Sequence, residues 1–175
     1  MVNMINNTKI MLSPGEIYAD VNPAKVWMVL GSCVAIAMYD KKKHIGTVCH
    51  GQLPERRLYG VTCRDNCPHK CDHHEDIETE FKYITCSFDH MKSFLMSAGS
   101  KKEDLVVSII GGSSLIDFGH NKKSIGTENV EVARRVVKDF GLRIHYEDVL
   151  GDVGRTIDFD TEKGLLVTKL QRKKA

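Results

Sequence analysis

The chain has 175 residues, 42% apolar and 27% charged, with 14 Gly and 4 Pro. This composition excludes collagenous, mucin-like and wholly disordered chains, and predicts one domain over 1–175 whose core closes without disulfide help. A net charge of +2 excludes a strongly basic nucleic-acid surface. Short basic runs at 41–43, 122–123 and 172–174 read as solvated turns and a tail. No apolar run approaches the ~20 residues of a membrane span and residues 1–10 lack a signal-peptide core, so a cytoplasmic protein without membrane insertion is expected.

From residue 16 to 50 the pattern is β: apolar, branched runs at 25–30 and 34–39 are broken by Gly31-Ser32, and 45–50 resumes after a polar turn at 40–43. Residues 55–76 form a Cys/His-rich polar insert without a clear period, an unusual length for a loop inside one domain. The spacing of Ile77, Phe81, Ile84, Phe88, Met91 and Leu95 predicts a helix over 77–97 that Gly99 stops. A buried strand at 105–110 runs into Gly111-Gly112-Ser113-Ser114, a tight turn without the Gly-Lys-Ser/Thr pattern of a phosphate loop. A second helix over 128–140 and strands at 143–149, 156–159 and 165–170 follow, the last two joined by a hairpin-like turn at 160–164. The sum predicts an α+β fold, a layered sandwich with two main helices.

Six cysteines in a chain of this kind point to catalysis or metal binding rather than a disulfide framework. In a hairpin closed over 40–43, Cys33 and His50 become direct cross-strand neighbours with Cβ atoms about 4.5–5.5 Å apart. An imidazole there can take the thiol proton and return one to a leaving group. Gly31-Ser32 permits a sharp turn whose amides can face a developing oxyanion. The plain alternative is a small buried cysteine beside a satisfied histidine. Cys49 points to the opposite face from His50 and reads as core.

Val29-Leu30-Gly31-Ser32-Cys33-Val34, Gly46-Thr47-Val48-Cys49-His50 and Leu53-Pro54 resemble the CheD family of chemoreceptor glutamine deamidases. Later blocks agree in order: Ile110-Gly111-Gly112, Ile125-Gly126, Glu128-Asn129-Val130, Glu147-Asp148, Gly154-Arg155 and the run from Phe159 to Gly164. The resemblance implies hydrolysis of glutamine side chains on chemoreceptor cytoplasmic helices, with Cys33 as nucleophile and His50 as proton carrier through a thioester. It implies no catalytic cofactor, a fold like the catalytic domain of deamidating bacterial toxins, and a CheC-type phosphatase as a partner. It also makes Gly31, Ser32, Gly112 and Ser113 candidate substrate or oxyanion contacts. One departure stands out: Trp27 occupies the position of the family's usual orienting threonine, leaving a backbone carbonyl near Trp27, Thr47 or Ser113 to orient His50. A regulatory binding module with weakened catalysis is the rival reading, and a metal or redox sensor on the same fold is a third.

The insert stands outside that resemblance. Cys63, Cys67 and Cys71 with His73, or with His69, His74 or Cys86 as the alternative fourth ligand, can satisfy tetrahedral zinc and so order a polar loop. Iron–sulfur ligation, mobile reduced thiols and redox or partner contacts remain open alternatives. The absence of Cys-x-x-Cys-His argues against covalently attached haem.

Overall fold

Residues 9–55, 81–114 and 123–171 are described by the computed structural model. Among them, β1 (Lys9–Met11), β3 (Lys25–Leu30), β8 (Arg155–Asp160) and β9 (Leu165–Leu170) form a four-stranded sheet in the order β1-β3-β8-β9. A five-stranded sheet runs β2 (Ile17–Ala19), β5 (Ile45–Cys49), β4 (Val34–Asp40), β6 (Leu105–Gly111), β7 (Ile144–Val149). Two α-helices, α1 (Ile84–Ser97) and α2 (Ile125–Asp139), and a short 3-10 turn at Lys102–Asp104 complete the described set.

β4 explains the layering. Its near-continuous apolar sequence is that of a strand covered on both faces. Val34, Ile36 and Met38 pack with Ile84, Phe88, Met91 and Leu95 of α1 and Val130, Ala133 and Val137 of α2. The alternate residues, Ala35 and Ala37, are small and face Val26, Met28, Leu30, Ile157 and Phe159 of the other sheet. The layers are therefore helices, five-stranded sheet and four-stranded sheet, an α+β sandwich as the sequence predicts. No helix among the described residues is long and apolar enough to cross a membrane.

Three boundaries differ from the sequence expectation. Helix α1 starts at Ile84, not at 77; residues 77–80 lie outside the described set. The backbone before it is committed elsewhere: Tyr83 is extended and bridges Leu53, and the Lys82 carbonyl accepts from the amides of Gln52 and Leu53. Helix α2 starts three residues earlier than expected, where Ser124 caps it by accepting from the Thr127 amide.

The third correction changes the register at the site. The β4–β5 turn pairs Asp40 with Ile45 across a four-residue loop. Asp40 Oδ1 accepts from the amides of Lys42 and Lys43 at 2.8 and 2.9 Å, and His44, at φ 56°, donates its amide to the Asp40 carbonyl. A left-handed residue closes this turn, which shifts the expected pairing by two. The β8–β9 turn repeats the arrangement with Asp160 and Gly164 in the same roles.

Candidate active site

Gly31-Ser32-Cys33 is the crossover between the sheets: β3 ends in one at Leu30 and β4 begins in the other at Val34. The Val34–Gly51 bridge and the β4–β5 register set His50 opposite Ala35 and Cys33 opposite Gln52. Cys33 and His50 are thus diagonal rather than direct neighbours. They share the face toward the four-stranded sheet, and the general diagonal spacing of about 7–8 Å is one that a long side chain spans. Cys33 packs at the margin of the inter-sheet core. Cys49 points the other way, is fully buried against the helices, and has its thiol pKa pushed up to about 11 by desolvation.

His50 is 2% exposed, and its Nδ1 lies 2.9 Å from the Leu12 carbonyl. A carbonyl oxygen only accepts, so Nδ1 carries the hydrogen and Nε2 presents its lone pair. Nε2 is buried without a hydrogen-bond partner among the described residues. The segment at 12–16 straps the ring: the His50 amide donates to the Glu16 carbonyl, and the Gly15 amide donates to the His50 carbonyl. Desolvation pulls the His50 pKa below its ordinary value, against smaller upward effects from the Leu12 carbonyl and Glu16. Desolvation likewise raises the Cys33 thiol, against a smaller lowering by its own amide. Both groups therefore rest neutral near pH 7, with an unpartnered base on the same sheet face as a thiol.

The crossover's carbonyls are all held from behind. Gly31 O accepts from the Ser113 amide at 2.9 Å, Ser32 O from Asn129 Nδ2 at 2.9 Å, and Cys33 O from the Gly112 amide at 2.8 Å. The amides of Gly112 and Ser113 thus anchor the turn and are not free for an oxyanion. Among the described residues, no group accepts from the amides of Ser32 and Cys33. Gly111, at φ 109°, has no room for a side chain, because a Cβ there collides with the Cys33 carbonyl. Gly112 and Gly126 bring the β6 end against the start of α2 by the same close approach.

The Trp27 carbonyl accepts from the Leu12 amide at 3.0 Å, and the Leu12 carbonyl meets His50. Trp27 is therefore linked to His50 one step removed, through the main chain of Leu12. Its side chain is half-buried on the outer face of the four-stranded sheet, with Lys9 Nζ 5.7 Å from the ring centroid. Thr47 lies on the helix-facing side of β5, opposite to His50. Ser113 is fully buried in another network, where its Oγ donates to Val153 O at 2.6 Å and accepts from Arg155 Nη1 at 2.7 Å. Leu12 and Asn129 escaped sequence reasoning; a carbonyl has no sequence signature, whereas the Asn in the α2 block could have been singled out as a polar residue on an apolar stripe.

Cys63, Cys67, Cys71, His69, His73 and His74 lie outside the described residues, among which no cluster of metal-ligating side chains occurs. Cys86 is half-buried on α1. The flanks of the insert are tied beside the site by the Leu53–Tyr83 bridge and by Arg135 of α2, whose Nη2 is 2.7 Å from Glu55 Oε2.

The family profile described as CheD chemotactic sensory transduction matches residues 67–170. A probable chemoreceptor glutamine deamidase CheD of Methanococcus maripaludis is 29% identical over 155 residues, covering 89% of this chain and 90% of its own length. The probable chemoreceptor glutamine deamidase CheD 2 of Geobacter sulfurreducens is 31% identical over 167 residues, 95% of this chain and 92% of its own. A third relative with the first name, from Maridesulfovibrio salexigens, is 31% identical over 166 residues, 93% and 91% of the two chains. The profile match begins beyond Cys33 and His50, but an alignment over 95% of the chain spans both.

Proposed function

The chain belongs to the CheD family, and from that premise we propose that it is a cysteine-dependent deamidase of glutamine side chains on chemoreceptor cytoplasmic helices. The observation that carries the reading is the buried His50 ring, tied by Nδ1 to the Leu12 carbonyl and bare at Nε2 on the same face as Cys33. Nε2 takes the thiol proton as the sulfur attacks the carboxamide carbon. The oxygen of the tetrahedral adduct gains negative charge beside the amides of Ser32 and Cys33. The imidazolium then protonates the departing nitrogen, which leaves as ammonia with a thioester on Cys33. Water attacks the thioester, gives a proton to Nε2, and releases a glutamate side chain as the thiol is restored. The balance is one carboxamide and one water in, one carboxylic acid and one ammonia out.

The neutral resting pair favours proton transfer during attack over a preformed thiolate. Trp27 leaves the ring oriented, because the Leu12 carbonyl does the holding that a threonine hydroxyl would do. Receptor cytoplasmic fragments incubated with wild type and Cys33→Ala test the reading by mass spectrometry. We expect glutamine-to-glutamate conversion by wild type and a loss on the order of 10³-fold or more in the variant. Equal background conversion contradicts it and favours a regulatory module for a CheC-type phosphatase. For the insert, zinc held by Cys63, Cys67, Cys71 and His73 is proposed; elemental analysis of untagged, anaerobically purified protein tests it, and stoichiometric absence of metal removes it.

A further inference from the structure

We propose that Asn129 is a positioning residue that fixes the Ser32–Cys33 peptide so that the Cys33 amide faces the reacting carbonyl oxygen; this rests on the deamidase reading above. Asn129 is fully buried on α2, and its Nδ2 lies 2.9 Å from Ser32 O and 3.0 Å from Gln52 O. Two carbonyl acceptors require the NH2 end of the amide there, which fixes the side-chain orientation. Oδ1 is consequently turned the other way, buried and without a partner among the described residues. Such an orphan acceptor is destabilising, so local packing alone does not account for an amide at this place.

The two carbonyls belong to Ser32, which precedes Cys33, and to Gln52, its cross-strand partner. Among the described residues the last pairing of these strands on this side is Val34–Gly51, so the strands leave the ladder where the nucleophile sits. One NH2 group spans the gap. A trans peptide points its C=O and N–H in opposite directions. Anchoring Ser32 O on the α2 side therefore turns the Cys33 N–H away from α2, toward the face that carries the thiol.

Asn129→Leu removes both donors and the orphan oxygen while keeping the volume. The expected result is a fall in kcat on the order of 10- to 100-fold with KM within about twofold. The rate of Cys33 alkylation by iodoacetamide, a displacement that develops no oxyanion, stays within about twofold of wild type. Should Asn129→Leu not fold, Asn129→Ala carries the same expectation. A peptide with an aldehyde in place of the glutamine carboxamide supplies the independent readout. It adds the Cys33 thiol across C=O to give a hemithioacetal, and its affinity should fall about tenfold or more in the variant. Unchanged kcat in a folded variant, or kcat and alkylation falling together, overturns the proposal. If wild type deamidates nothing yet aldehyde affinity depends on Asn129, the deamidase reading fails and the positioning role stands. Asn129-independent aldehyde affinity overturns the role itself.

Discussion

Burial decides the ionisation of the two central groups. Desolvation lowers the His50 pKa from 6.5 and raises the Cys33 pKa from 9.0. Alkylation of Cys33 should therefore rise in one step centred above pH 9.0, without the plateau at neutral pH that a thiolate–imidazolium pair produces. The acid limb of kcat/KM should fall below pH 6.5, since the proposed mechanism needs His50 neutral. The same shift acts on stability. Below pH 6.5 the unfolded chain takes up a proton that the folded chain resists, so the contribution of neutral His50 is present above that value and lost as pH falls through the folded pKa. Denaturant titrations of wild type and His50→Gln across this range should converge on the acid side, and parallel curves contradict the shift.

Two turns and one crossover control the geometry of the site. Both hairpins put an Asp at the first position and a left-handed residue at the last, but Gly164 announces the second turn while His44 conceals the first. That is why the sequence reading closed the β4–β5 turn too early along the chain and placed Cys33 directly opposite His50. The shared face survived because a two-residue slip preserves strand alternation. The start of α1 was hidden for a similar reason: the stripe of Phe81 and Ile84 fits a helix, but tertiary pairing of Lys82 and Tyr83 with 52–53 overrides it. Main-chain contacts such as Leu12 to His50 depend on where distant segments meet, which side-chain pattern does not encode. At the crossover, Gly111→Ala should lower stability by about 1–3 kcal/mol through its left-handed backbone alone. The clash with Cys33 O adds to this and displaces Cys33, so activity of the folded fraction should fall as well. Calorimetry with an active-site thiol titration checks both, and an unperturbed variant contradicts the tight packing.

The layered architecture gathers the site at one end of the five-stranded sheet. There the C-terminal ends of β5, β6 and β7 meet the starts of β4, α1 and α2. Apolar patterning made these layers legible, since β4, α1 and α2 carry their buried faces in sequence. The N-terminal strand β1 and the strap after it were less visible because they are short and held largely by main chain. Near the opposite end of the sheet, Leu95 is fully buried on α1, close to Gly99 and the β4–β5 turn. Leu95→Ala should cost about 2–5 kcal/mol of stability and leave kcat of the folded protein unchanged. Thermal unfolding and activity well below Tm separate these effects; a parallel loss of kcat contradicts the separation of ends.

The proposed covalent role of Cys33 is tested most directly by acid-quenching wild type during turnover of a receptor fragment and analysing Cys33 by mass spectrometry. An adduct with the mass of the substrate peptide less ammonia, discharged by hydroxylamine and absent from Cys33→Ala, is the predicted result. Glutamine conversion that continues undiminished in Cys33→Ala, with no adduct at any stage of wild-type turnover, would contradict the account.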